Sequence, residues 1–225
     1  MNLISITTII CIASAQSIYS ATLYTGASLS SITSGSVSDY QGSPVNHVAA
    51  KFTLSGATSE VKAVSFYGLY FGGGANSLTV TTDVFDVAFF SDSGNGPGSI
   101  IGTAQTSLIA ERFATGSVAA GREIYQYELD LSSSISLTAS NYWIAISRNN
   151  PSPPSGTGGN WIWAGDHSSV LALQSQGSNQ FTMSGTDNAN PAFTLENTTF
   201  AVPEPQVFGL ALVTLASCLA KRRRI

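Results

Sequence analysis

The stretch Tyr125-Gln126-Tyr127-Glu128-Leu129-Asp130-Leu131 decides the fold class of this chain. Its odd positions are apolar and its even positions are polar, which is the period of two that a strand with one buried face shows. Across residues 22–196 no window shows a sustained apolar period of 3.6 residues flanked by helix caps. The sequence therefore predicts an all-β domain.

Further strands are expected where the same signals recur. The alternation is repeated over residues 48–54, and the stretch 85–90 is apolar on both faces, which is typical of a central strand. Clusters of Gly, Ser, Asn and Pro at 91–98 and 151–159 predict a hairpin loop and a longer loop. Short strands at this spacing favour a β-sandwich with a jelly-roll-like arrangement. The other predicted strands cover 61–71, 80–90, 100–108 and 142–147.

The N-terminus has the features of a secretory signal peptide. Residues 3–15 form an apolar, uncharged run of the length expected for such a signal. Ala13-Ser14-Ala15 fits the small-x-small cleavage rule, and a cut near Ser20 or Ala21 fits it as well. We therefore expect residues 1–21 to be a signal peptide, with an uncleaved anchor or a buried strand as the alternatives.

The C-terminus combines an acidic proline motif, an apolar run and a basic cluster. Val202-Pro203-Glu204-Pro205 precedes the run at 206–220, and Lys221-Arg222-Arg223-Arg224 follows it. As a helix the run spans roughly 22 Å, which makes a short transmembrane helix, and the cations would stay on the cytoplasmic side. The prolines keep the motif extended, as a protease requires. A plain membrane anchor is the alternative.

These C-terminal residues, with Phe208-Gly209-Leu210-Ala211-Leu212 inside the apolar run, resemble the PEP-CTERM sorting signal of exopolysaccharide-producing bacteria. The resemblance implies recognition and cleavage by an exosortase, a membrane transpeptidase-like cysteine enzyme. It also implies transient residence in the inner membrane, followed by delivery to the cell surface or to an exopolysaccharide or biofilm matrix. The predicted order is a signal peptide at 1–21, a β-sandwich at 22–196, a linker at 197–201 and the sorting signal at 202–225.

Short motifs in the core resemble a second family, the choice-of-anchor R type domain. They are the stretch 89–102, Tyr142-Trp143-Ile144-Ala145-Ile146 and Trp161-Ile162-Trp163. The resemblance covers residues 45–196. It implies an exported surface domain, and the family has no agreed biochemical activity.

Composition excludes several classes of partner and chemistry. Cys11 and Cys218 fall in the two terminal segments, so residues 22–201 contain no disulfide, thiol nucleophile or cysteine metal ligand. Between 22 and 201 there are five basic and twelve acidic side chains, which gives a net charge of about −7. Because such a surface repels phosphate backbones, nucleic acid is not expected as a partner.

Calcium is the one cofactor that the sequence suggests. Asp83, Asp86, Asp92 and Asn95 lie in or beside a turn-rich segment and would supply carboxylate and amide oxygens. The spacing is not that of an EF-hand, and Asp and Asn are also ordinary turn residues. With two histidines in the chain, zinc is not expected.

Aromatic residues offer a candidate ligand surface. Trp161 and Trp163 occupy alternate positions and so share one strand face, and Tyr142 lies in another predicted strand. They would either stack on sugar rings or belong to the core. The first possibility, with a Thr-rich face, defines a carbohydrate- or ice-binding module as an alternative function.

The histidines allow a further alternative, a secreted hydrolase. Asp166-His167 would supply a base beside a carboxylate, but no serine elbow accompanies it. His47 lies in an alternating strand, where a hydrogen-bonded core or surface histidine is the usual role. We therefore expect a non-enzymatic exported protein whose partners are an exosortase-type protease and exopolysaccharide.

Overall fold

β-Strands dominate the part of the chain that this computed structural model describes, namely residues 21–38, 46–71, 82–149, 160–166, 172–176, 186–187 and 190–200. The predicted signal peptide up to residue 20, the loop predicted at 151–159 and the segment 202–225 with its predicted membrane helix lie outside these residues. Within them, no helix is long and apolar enough to cross a membrane. Their helical content is a single 3-10 turn at Leu29–Ser31.

The all-β prediction is confirmed. The strands are β1 Thr22–Thr25, β2 Ser34–Val37, β3 Asn46–Leu54, β4 Ser59–Phe71, β5 Thr82–Asp92, β6 Pro97–Ile100, β7 Gln105–Ala119, β8 Arg122–Leu137, β9 Ser140–Arg148, β10 Asn160–Asp166, β11 Ala172–Gln176, β12 Thr186–Asp187, β13 Asn190–Pro191 and β14 Phe193–Glu196.

Antiparallel pairing joins these strands into one sheet. Its main order is β1-β14-β4-β8-β7-β5-β9-β3-β11-β12, while β10 pairs with the second half of β4 and with β2. Ser38 helps to bridge the gap between β10 and β9, because its N–H donates to the Trp161 carbonyl and its carbonyl accepts from the Arg148 N–H. The sheet therefore curls on itself until it is nearly closed.

The interior of the curled sheet is aromatic. Phe66 stacks on Tyr127 with ring centres 5.2 Å apart, and Phe85 lies edge-on to Trp161 at 5.0 Å. Tyr24 of β1 lies 5.5 Å from Phe52 of β3, although these strands are far apart in the sheet order. Such ring pairs add to the burial of apolar surface that stabilises the fold.

The clearest sequence predictions of strands are confirmed. Tyr125, Tyr127, Leu129 and Leu131 of β8 all face the core. The stretch 85–90 is buried on both faces, because Phe85, Val87 and Phe89 pack in the main core while Ala88 and Phe90 pack with Trp143 in a second apolar cluster. The prediction of one strand at 100–108 is only partly right: residues 105–108 lie in β7, but β6 ends at Ile100 and Gly102 turns the chain with a φ of 69° before β7 begins at Gln105.

Two hairpins organise the centre of the sheet. The predicted loop at 91–98 joins β5 to β6, with Asp92 opposite Pro97 and Gly94 at a φ of 89°. A second hairpin joins the long strands β7 and β8. Its two-residue turn places Ala120 and Gly121 at φ values of 49° and 73°, the left-handed pair that a type I′ turn requires.

Candidate functional site

The aromatic residues proposed for ligand stacking lie in the core. Trp161 and Trp163 are fully buried, and Tyr142 is 8% exposed. Trp161 contacts Phe66 and Phe85 edge-on, and the indole of Trp163 donates to the Ala192 carbonyl at 3.3 Å. Trp161 and Trp163 share one face of β10, as the sequence predicts. This face points into the core, so the rings do not form a sugar-binding platform.

The four residues proposed for calcium do not converge. Asp83 points into the core with Phe85, whereas Asp86 and Asp92 lie on the opposite face of β5, because successive side chains of a strand alternate. Asp86 accepts hydrogen bonds from the Ser107 N–H and the Asn149 amide. Among the described residues, no group of three or more acidic, histidine or cysteine side chains is arranged to hold a metal ion.

Asp92 is held by protein groups. Lys51 lies 2.6 Å from its carboxylate, the Trp143 indole donates to it at 2.9 Å, and the Gly94 N–H donates to it at 3.2 Å. The hydrogen bond from Lys51, followed by that from Trp143, lowers the pKa of Asp92 below its ordinary value. Asn95 is exposed in the adjoining turn. Asp92 thus has a role in an ion pair and in the turn, and Asn95 has a place in the same turn, without a metal ion.

The histidine of β3 belongs to a buried hydroxyl network. His47 is 3% exposed, and its Nδ1 lies 2.7 Å from the hydroxyl of the fully buried Ser147. The Ser38 hydroxyl donates to the Ile146 carbonyl at 2.5 Å and lies 3.2 Å from that of Ser147. These bonds join the segment after β2 to β3 and β9, which is the expected role of a core histidine.

Within the part of the chain that the structure describes, no assembled site supports the hydrolase alternative. Asp166 ends β10 and pairs there with Asn190, while its sequence neighbour His167 lies outside the described residues. His47 and Ser147 are within hydrogen-bonding distance, but neither side chain is open to a substrate. A nucleophile and base sealed in this way do not serve acyl transfer.

The structure reveals a buried ionic cluster that sequence reasoning missed. Arg112 of β7 lies 2.9 Å from the Asp83 carboxylate of β5, and the Tyr70 hydroxyl of β4 donates to the same carboxylate at 2.6 Å. The guanidinium of Arg148, from β9, lies 5.3 Å from the centre of the Tyr70 ring, and that of Arg112 lies 5.0 Å from the Tyr125 ring of β8. Five neighbouring strands thus contribute to one cluster.

Burial is the main cause of the pKa shifts of Asp83 and of the two tyrosines in this cluster. It raises the pKa of Tyr70 well above its ordinary value, and the Asp83 carboxylate raises it further. Burial also raises the pKa of Asp83, against the opposing effects of Tyr70 and Arg112. For Tyr125, burial followed by its hydrogen bond to Glu123 raises the pKa to about 12. Both tyrosines therefore stay protonated hydrogen-bond donors at neutral pH.

The ionic cluster is a structural element. The side chains of Asp83 and Arg112 are 0% and 3% exposed, so this pair does not face solvent. Its members come from positions 70, 83, 112, 125 and 148, a separation that leaves no local pattern in the sequence. The cluster fixes how these strands face one another, and it offers no open site for a substrate.

The two ends of the domain meet at one edge of the sheet. β1 pairs with β14, with Thr22 opposite Glu196. The Ala21 N–H donates to the Asn197 side-chain oxygen at 3.0 Å, and the Asn197 N–H donates back to the Ala21 carbonyl at 3.3 Å. The chain therefore enters and leaves the sheet side by side, close to the predicted boundaries of the domain.

Residues 197–200, which we call the strap, lie along the sheet where the sequence predicts a linker. The strap leaves β14 and reaches β8, where the Phe200 N–H donates to the Asp130 carboxylate at 2.8 Å. Ala63 of β4 pairs with Glu196 of β14 on one side and with Asp130 of β8 on the other, and it is fully buried. The strap thus crosses β4 and is fixed at both of its ends.

The face on which the strap ends is acidic. Glu111 of β7 lies directly opposite Glu128 of β8, and Asp130 follows two residues later on the same face. Burial, followed by the charges of Glu111 and Asp130, raises the pKa of Glu128. Ile109 and Phe113 flank Glu111 on β7 and are 69% and 42% exposed.

Comparison with known proteins does not assign the chain to a family. No protein-family model matches it, and no curated protein is significantly similar to it.

Proposed function

We propose that this chain is a non-enzymatic protein exported to the cell surface or extracellular matrix and processed by an exosortase-type membrane protease. The observation that carries the proposal is the order of three features that follow β14 in the sequence: Val202-Pro203-Glu204-Pro205, the apolar run and the basic cluster. Together with the apolar N-terminal run, this order is typical of a chain that is first exported and then held in a membrane.

The arrangement of the domain supports this proposal. Both ends leave the sheet at the edge formed by β1 and β14, so segments at either end are removable without cutting a strand of the sheet. We also propose that the curled sheet is a β-sandwich with a jelly-roll-like arrangement. The contact of Tyr24 with Phe52 across the interior supports it, because it brings opposite parts of the curled sheet face to face.

The expected partners follow from surface chemistry. The net charge of about −7 between residues 22 and 201 disfavours nucleic acid, and exposed Ser, Thr and acidic side chains suit a hydrated polysaccharide matrix. The membrane protease is the partner for the C-terminal segment. No cofactor is needed for this role.

Mutation of the motif tests the proposal. A chain with Pro203→Ala, Glu204→Ala and Pro205→Ala should stay full-length in the membrane fraction, because the protease loses its recognition sequence. Thr199→Ala, an exposed change just before the motif, should be processed like the wild type. Intact mass and fractionation distinguish the two. Loss of the tail from the triple variant at the wild-type rate would rule out recognition at this motif.

A further inference from the structure

The strap is held on the sheet by a bond that the fold itself does not require. Asp130 lies on the exposed side of β8, and the strands on either side pair through their backbones without its carboxylate. That carboxylate accepts the Phe200 N–H at 2.8 Å. A carboxylate is the stronger kind of acceptor for a backbone N–H, so this bond helps to hold the outer end of the strap on the sheet.

Chain length limits how far the processing motif lies from this bond. Val202 is the second residue after Phe200. An extended chain gains at most about 3.6 Å per residue, so the motif begins within roughly 7 Å of the point where Asp130 holds the strap. A domain surface this close obstructs an enzyme cleft.

A bound substrate peptide needs free residues on both sides of the cut. Extended peptides are commonly held by backbone hydrogen bonds along an added strand. On the core side of the motif these residues are those of the strap, and the Phe200 N–H is already used by Asp130. If the enzyme holds these residues as an added strand, the strap leaves Asp130 before the motif is taken up.

We propose that Asp130 is a positioning residue for the processing reaction, because its bond to Phe200 holds the strap on the sheet and so controls access to the motif. This inference rests on the proposed function. In that reaction the thiolate of the enzyme attacks the scissile carbonyl and forms a thioester, the peptide C–N bond breaks, and the tail leaves as an amine that takes its proton from an acid of the enzyme. Water or an amine of the acceptor then displaces the thiolate.

Four variants of the full chain test this role. Asp130→Ala removes the acceptor, and Phe200→Pro removes the donor N–H from the other side of the same bond. The double variant combines them, and Glu111→Gln is the matched control, since it removes a charge from the same face. The conversion rate of full-length to tail-less chain is followed in the producing cells by pulse-chase and intact mass.

Each single variant should be processed about three- to tenfold faster than the wild type, the factor that one net hydrogen bond contributes. Because both changes break one bond, the double variant should be no faster than the faster single variant. Glu111→Gln should match the wild type. Wild-type rates for both single variants, or multiplied effects in the double variant, would overturn the proposal.

A second readout separates this inference from the proposed function. Full-length protein in detergent is treated with a nonspecific protease, and cleavage after residue 200 is compared between wild type and Asp130→Ala. The variant should be cut faster there, while its thermal midpoint stays within a few degrees. Faster cutting without any processing in cells would contradict the proposed function alone. Normal processing with unchanged cutting would contradict the role of Asp130.

Discussion

Neutralising Asp83 should destabilise the protein strongly. Asp83→Asn keeps an oxygen that accepts the Tyr70 hydroxyl, but it leaves the Arg112 guanidinium, 3% exposed, without the carboxylate that lies 2.9 Å away. Breaking a buried ion pair by removing one partner costs about 3–5 kcal/mol. For a domain of this size each kcal/mol lowers Tm by about 2–4 °C, so we expect a fall of roughly 6–20 °C.

A double-mutant cycle isolates this pair. Arg112→Met removes the other charge. In the double variant the loss of free energy of unfolding should be smaller, by at least about 2 kcal/mol, than the sum of the losses in the two single variants. Lys51→Met, which breaks the more exposed pair with Asp92, is the control and should cost at most about 1 kcal/mol. Urea unfolding followed by tryptophan fluorescence measures all four variants. Additive losses, or an Asp83→Asn loss as small as that of Lys51→Met, would show that Asp83 and Arg112 do not stabilise the fold as a buried pair.

Three further predictions concern the turn, the acidic face and metal dependence. Ala120→Asn should raise the free energy of unfolding by about 0.5–1 kcal/mol, since Asn suits the left-handed turn position better, whereas Gly121→Ala should lower it by about 1 kcal/mol; urea unfolding measures both. The raised pKa of Glu128 means that its contribution to stability is full below its unfolded pKa and is lost as the pH rises through the folded value. Glu111→Gln should therefore raise the free energy of unfolding by a few tenths of a kcal/mol near pH 7 and leave it unchanged below about pH 4. Urea unfolding near pH 7 and below pH 4 measures this difference. Chelation with EDTA should leave the Tm unchanged in a thermal scan, because the four oxygen-bearing side chains proposed for calcium lie apart; a fall in Tm that calcium reverses would contradict this.

Local patterns in the sequence predict much of the fold. The alternation at 125–131 identifies β8 and its buried face, because the period of two is a property of the strand itself. The Gly-rich stretch at 91–98 identifies the β5–β6 hairpin for the same reason, since Gly94 takes the positive φ that the turn needs. Both signals lie within a few residues of the structure that they predict.

Structural features that depend on residues far apart in the chain were not predicted from the sequence. The second half of β7 contains Gly116 and several small polar residues, so it resembles a loop, and it becomes a strand by pairing with β8. Its turn uses Ala120 where Asn is the usual residue. The ion pair of Asp83 with Arg112 joins residues 29 positions apart. The strap was missed because the acceptor of Phe200 lies 70 residues earlier in the chain.

Export and removal of the tail are tested most directly by the intact mass of the protein recovered from the cells that produce it, measured separately in the membrane, surface and medium fractions. We expect a mature species in the surface fraction or the medium that lacks both the N-terminal segment and the residues after about Pro205. A surface or medium species that retains Lys221, Arg222, Arg223 and Arg224, with no shorter form in any fraction, would contradict it and would show that the tail is a permanent part of the protein.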